Sequence, residues 1–138
     1  MSSDLLSGFS DLLEVARRQP QPQRLLFVLV RVDLPESPTA AQRERHARGE
    51  GGTLAPVLCV DKSPDEIASF TALAEESASA GGSGWDLMFV AALAGRAGIA
   101  PTADEATRGL RMMVEAIEGG QVTRFAAFDR EGAAVAFC

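Results

Sequence analysis

The run Leu25 to Val32, LLFVLVRV, constrains the fold more than any other stretch of the chain. A strand with one face in water alternates apolar and polar residues, whereas a short continuous apolar run belongs to a strand covered on both faces. The chain must therefore place packed layers on either side of it. Val57 to Val60, Leu87 to Leu93 and Val122 to Phe128 supply companion strands. Ala133 to Phe137 reads as a fifth, returning antiparallel after the turn DREG at 129–132. Pro56 suits an edge strand or a strand that starts just after it.

Helical periodicity fills the intervals. Leu5, Phe9, Leu12, Leu13 and Ala16 fall on one face, and the proline-rich QPQPQ at 19–23 stops that helix. Thr39 and Gln42 stand at capping-box spacing after Pro38, opening a short helix over 40–50 that GEGG ends. SPDE at 63–66 opens another, with Ile67, Phe70, Leu73 and Ala74 on its buried face. TADE at 102–105 opens the longest, apolar at Ala106, Leu110, Met113, Val114 and Ile117 and stopped by Gly119-Gly120.

The order is helix, strand, helix, strand, twice over, and residues recur with it. Phe9, Leu12 and Glu14 match Phe70, Leu73 and Glu75 at an offset of 61, and Phe27-Val28 matches Phe89-Val90 at 62. Pro38-Thr39-Ala40 matches Pro101-Thr102-Ala103 at 63, and Gly51-Gly52 and Asp61 match Gly119-Gly120 and Asp129 at 68. This predicts one α/β domain over 1–138, built from duplicated halves at about 4–62 and 65–130. Its expected architecture is a mixed, largely parallel sheet of about five strands, with helices on its faces through right-handed crossovers and a C-terminal β-hairpin.

In such a sheet the carboxyl ends of the strands line one crevice. Arg31, Asp33, Asp61, Arg96 and Asp129 would gather there, making a polar small-molecule or anion site the alternative function. The plainer reading has Asp61 helping to start a helix and Asp129 opening a hairpin turn. Gly95-Arg96-Ala97-Gly98 has the look of a phosphate loop, but its glycines do not run into the helix, which begins at Pro101-Thr102. It reads as a connection leaving a strand, so Arg96→Ala should have little effect on stability.

Arg43, Arg45 and Arg48, with His46, give helix 40–50 a basic character on an otherwise acidic chain of net charge −6. They could dock an acidic partner, although Glu44 and Glu50 also suit an ordinary solvated helix. The charge argues against broad nucleic-acid or anionic-membrane binding. Asp4 and the lack of an uninterrupted apolar region at the N-terminus point to a cytoplasmic protein, with no membrane span. Two cysteines and one histidine suggest no metal site and no disulfide framework, no catalytic set stands out, and no cofactor is implied. Cys59, between Leu58 and Val60, reads as a buried inert thiol that would leave Cys138 as the only reactive one. Trp85 reads as a packing residue at a sheet end.

With LLFVLV, PVLCVDKSPDE, WDLMFVAALAGRAG and MVEAI, the chain resembles, over nearly its whole length, a family of small proteobacterial proteins of unsettled function. Its members often carry the name ribonucleotide reductase subunit alpha. The motifs are structural, and the resemblance transfers no catalytic residue. Reductase chemistry of the kind the name implies needs a radical-bearing cysteine, a redox pair and a tyrosine path, whereas this chain has two distant cysteines and no tyrosine. The expectation is therefore a non-catalytic cytoplasmic binding or regulatory module that acts through protein contacts, with a homodimer among its arrangements.

Overall fold

The computed structural model describes residues 8–33, 53–82 and 84–136, with the side chains of Asp33 and Thr53 outside the description. Helix α1 spans Phe9–Arg17, strand β1 Gln23–Asp33 and strand β2 Thr53–Lys62. A single 3-10 turn at Pro64–Glu66 leads into α2, Phe70–Ser79. Strand β3 (Leu87–Ala94), helix α3 (Ala103–Glu118) and strand β4 (Ala126–Phe128) complete the set. The helix expected over 40–50, with Arg43, Arg45, His46 and Arg48, lies outside the described residues, as do Leu5, Phe137 and Cys138.

The strands form one four-stranded sheet in the order β2-β1-β3-β4, and every neighbouring pair is antiparallel. The expected largely parallel sheet of five strands is thus corrected in direction and in number. Continuous apolarity reports that both faces of a strand are covered; it carries no information on direction. Because the connection holding α3 is long, β4 can come back beside β3 pointing the opposite way. Strands that share a direction, β2 with β3 and β1 with β4, are never neighbours in this sheet. The expected fifth strand shrinks to two isolated bridges, Phe128 with Ala134 and Gly8 with Ala133, beyond a turn in which Gly132 takes φ of 81°.

Alternation along β1 divides the core in two. Leu25, Phe27 and Leu29 point to a first face, where they pack with Phe9, Leu13 and Ala16 of α1, Leu73 of α2, and Met88, Val90 and Phe128. Leu26, Val28 and Val30 point to the second face and meet Phe89, Ala127 and Ala106, Met113 and Ile117 of α3. On the first face Phe9 is the hub of an aromatic cluster, with ring centroids 5.2 Å from Phe70, 5.5 Å from Phe128 and 6.0 Å from Phe27. From there α1 runs diagonally to the 3-10 turn, where Arg17 donates to the carbonyls of Ile67 (3.0 Å) and Pro64 (3.4 Å).

The helix expected to run on from SPDE is divided. Ser63 and Glu66 do form a capping box, but Ile67 is extended at φ −108° and ψ 108°. A second cap, the Ser69 hydroxyl accepting from the Ala72 N–H at 3.0 Å, restarts the chain as α2.

The central β1–β3 pair bears on the sequence repeat. An antiparallel pair has a local two-fold through any two facing residues, and the one through Val28 and Phe89 relates positions 61 apart. That is also the offset of the helix matches, and Phe9 and Phe70, 61 positions apart, touch within the first-face core. The Phe27/Phe89 match at 62 does not hold in three dimensions, because Phe27 faces one core and Phe89 the other.

Candidate functional site

Strand direction decides where the charged residues go. β1 and β4 finish at one end of the sheet and β2 and β3 at the other, so the five residues expected in one crevice are divided. Arg31, the backbone of Asp33 and Asp129 lie at the first end; Asp61 and Arg96 lie at the second. Asp129 serves its own turn, its Oδ1 accepting N–H bonds from Glu131 (2.9 Å) and Ala133 (3.0 Å). At the opposite end Arg24 donates to Asp61 at 2.6 Å and reaches Glu66 at 3.7 Å, while Lys62 pairs with Glu76 at 2.6 Å. Trp85 is buried against Phe70, with the Arg130 guanidinium 5.9 Å from its ring centre.

Arg96 is 87% exposed and pairs with Glu105 at 3.2 Å. Its loop is a miniature hairpin in which Arg96 and Ile99 exchange backbone bonds and Ala97 and Gly98 take φ of 52° and 78°. Positive φ at both central positions is the pattern of a type I′ turn, whose task is to reverse the chain. The Gly98 N–H is used by Gln21 Oε1 at 2.8 Å.

Two acids are held below the usual carboxylate range. The Thr102 N–H and hydroxyl do this for Glu105, with Arg96 beside it, and Ser63 does the same for Glu66, with Arg24 and Lys62 nearby. A carboxyl whose folded pKa is depressed adds stability above its unfolded value and loses it as pH falls through the folded one. Glu105→Gln keeps an acceptor for the capping box but cannot titrate. The stability gap between wild type and Glu105→Gln should therefore narrow between about pH 6 and about pH 3, as followed by urea melts. A gap that does not change with pH would contradict the capping role of the charge.

Cys59 departs from its expected burial. It pairs with Val28 on edge strand β2 and is exposed, because Leu58 and Val60 take the first face and the thiol points to the other. Desolvation still pushes its pKa up. In a Cys138→Ser background, maleimide should label native protein at Cys59, with a rate still rising above about pH 8.5. Labelling that requires denaturant would restore the buried reading.

The concave surface lies elsewhere. An open groove of about 270 Å³ runs between α1 and the sheet, lined by Leu12, Val15 and Ala16 of α1, Gln19 just beyond its end, Gln23 and Leu25 of β1, and Val90, Ala91 and Ala92 of β3. It exists because α1 crosses the sheet diagonally and leaves the lower half of β3 uncovered, where Ala92 and Ala94 are exposed. Val15 is 43% exposed, off the stripe that buries Phe9, Leu13 and Ala16. Among the described residues no lining residue is charged, so the groove suits apolar, uncharged groups, and a charge entering it would be desolvated without a partner there. One faint signal of this site was present in the sequence: the apolar Val15, off the buried stripe of an amphipathic helix.

Among the described residues no helix is long and apolar enough to cross a membrane, and no cluster of His, Cys, Asp or Glu has the makings of a metal centre. Compared with protein-family models, with curated proteins and with solved structures, the chain matches none.

Proposed function

We propose that this protein is a non-catalytic binding module acting through protein–protein contacts. The observation that carries the reading is the groove between α1 and β3, uncharged in all its described lining residues, beside the exposed Val15. The charged strand ends point the same way: Asp61, Lys62, Arg24 and Arg96 are engaged in ion pairs within the fold, and Asp129 in its own turn. The family resemblance adds no residue to this site.

Site-specific photocrosslinking tests the reading in producing cells. A benzophenone amino acid at Val15 should give a discrete protein adduct that Ala92→Asp, at an exposed lining position, abolishes, whereas the same probe at exposed Thr123, away from the groove, should not. In parallel, ATP, NAD and inorganic phosphate should leave the melting temperature unchanged. A ligand at 100 times its Kd would add about 2.7 kcal/mol. Stabilisation by one of these, lost in Arg96→Ala, together with no adduct at Val15, would replace the binding module with a small-molecule site.

A further inference from the structure

The groove is bordered by an unfinished sheet edge. β4 pairs with β3 only at Met88, Phe89 and Val90, while β3 continues to Ala94. Residues 91–94 pair with β1 on one side and have no strand partner on the other among the described residues. Hydrogen-bonding direction alternates along a strand. Gly95 donates to Pro22 on the β1 side at 2.7 Å, which sets Leu93 and Ala91 toward β1 and turns Ala92 and Ala94 outward. Their N–H and C=O groups extend the row that Met88 and Val90 present to β4.

Among the described residues the outer side of β2 also has no strand partner, but it is guarded. β2 carries Pro56 where its register with β1 shifts, followed by Asp61 and Lys62, features that discourage strand addition. The 91–94 edge reads Ala-Ala-Leu-Ala, with no proline, charge or bulge. Of the two, only the edge beside the groove lacks these guards.

Resting on the protein-binding reading above, we propose that the groove and this edge form one site for a short extended peptide of a partner protein. The peptide adds as a strand beside Ala92 and Ala94 and turns alternate uncharged apolar side chains toward Leu12, Val15 and Ala16. Backbone bonds then supply affinity and the groove supplies selection. Nine of the described residues line the groove, against about 20–30 a side in a stable interface between folded subunits, so the site fits a segment better than a second copy of this chain. The absence of charge among the described lining residues selects against acidic or basic residues at the inward positions.

A phage-displayed library of random dodecapeptides, panned on the whole chain, provides the probe. Retained peptides should be apolar and uncharged at every second position, and one of them, synthesised with a fluorophore, gives Kd by anisotropy. Ala92→Pro removes an outward N–H without touching the β1 ladder, a placement an edge strand tolerates, and should weaken binding at least tenfold. Val15→Lys should do the same. Circular dichroism and melting checks that both variants fold. For wild type, peptide should slow hydrogen exchange at the Ala92 and Ala94 amides, a measurement independent of either substitution.

Peptides whose Kd stays within twofold in both folded variants, or that leave those amides unprotected, would overturn the strand-addition site while leaving the crosslinking result at Val15 to judge the protein-binding reading. Failure to retain any peptide would also overturn it. Concentration-dependent dimerisation in sedimentation, abolished by Ala92→Pro, would overturn it in favour of edge-to-edge self-association.

Discussion

Urea denaturation of Phe9→Ala should show a loss of about 3–5 kcal/mol, the range for deleting a buried phenylalanine side chain from a well-packed site. Phe9 is 2% exposed and meets rings from β1, α2 and β4, so its removal leaves a cavity bounded by three elements that cannot all close on it. At the scale expected for a domain of this size, the melting temperature should fall by roughly 10–20 °C. Because the rings share one cluster, Phe9→Ala and Phe128→Ala should combine to less than their sum. Additive losses would mean that the rings are neighbours without being coupled. Phe9→Leu, which keeps most of the volume, should cost far less.

Gly95→Ala should be the second severe change, about 2–4 kcal/mol, although it adds a single methyl group. A β-carbon at Gly95 would sit 2.1 Å from the Ile99 carbonyl oxygen and 3.1 Å from that of Pro22. Both are backbone atoms fixed by hydrogen bonds to Gly95 and Arg96, so neither can swing aside as a side chain would. Gly98→Ala is the control. No atom lies within 4 Å of its β-carbon, and only its φ of 78° is unfavourable, so it should cost about 1–2 kcal/mol. Equal losses at the two positions would show that turn strain, rather than the backbone clash, governs this loop.

These residues also show which parts of the structure could be read from sequence. LLFVLV announced a strand with both faces covered, and Leu25 to Val30 alternate between two cores. It could not announce direction, because burial depends on what lies above and below a strand and pairing on what lies beside it. With the direction went the expected crevice, since antiparallel strands send Asp129 and Asp61 to opposite ends. PVLCV looked equally apolar, yet on an edge strand Cys59 is left in solvent. The glycines of GRAG were conspicuous for a reason pattern could not supply: Gly95 is required by a carbonyl four residues on, not by a ligand. The groove was least legible, because it depends on the angle at which α1 crosses the sheet, and that angle is set by Phe9 at one end and Arg17 at the other.

The strand order has a further consequence, for the route by which the chain reaches this fold. β1 sits at the centre of the sheet, but its partner on one side is β3, at sequence separations from 57 residues (Val30 with Leu87) to 71 (Gln23 with Ala94). Loops of that length must close before the central ladder rewards them, which places the rate-limiting step in the non-local pairing. On the ribosome the six residues Leu25 to Val30 emerge long before β3, with one side of their backbone unpaired and apolar side chains on both faces. For that interval the segment that organises the finished core is also the most aggregation-prone part of the nascent chain.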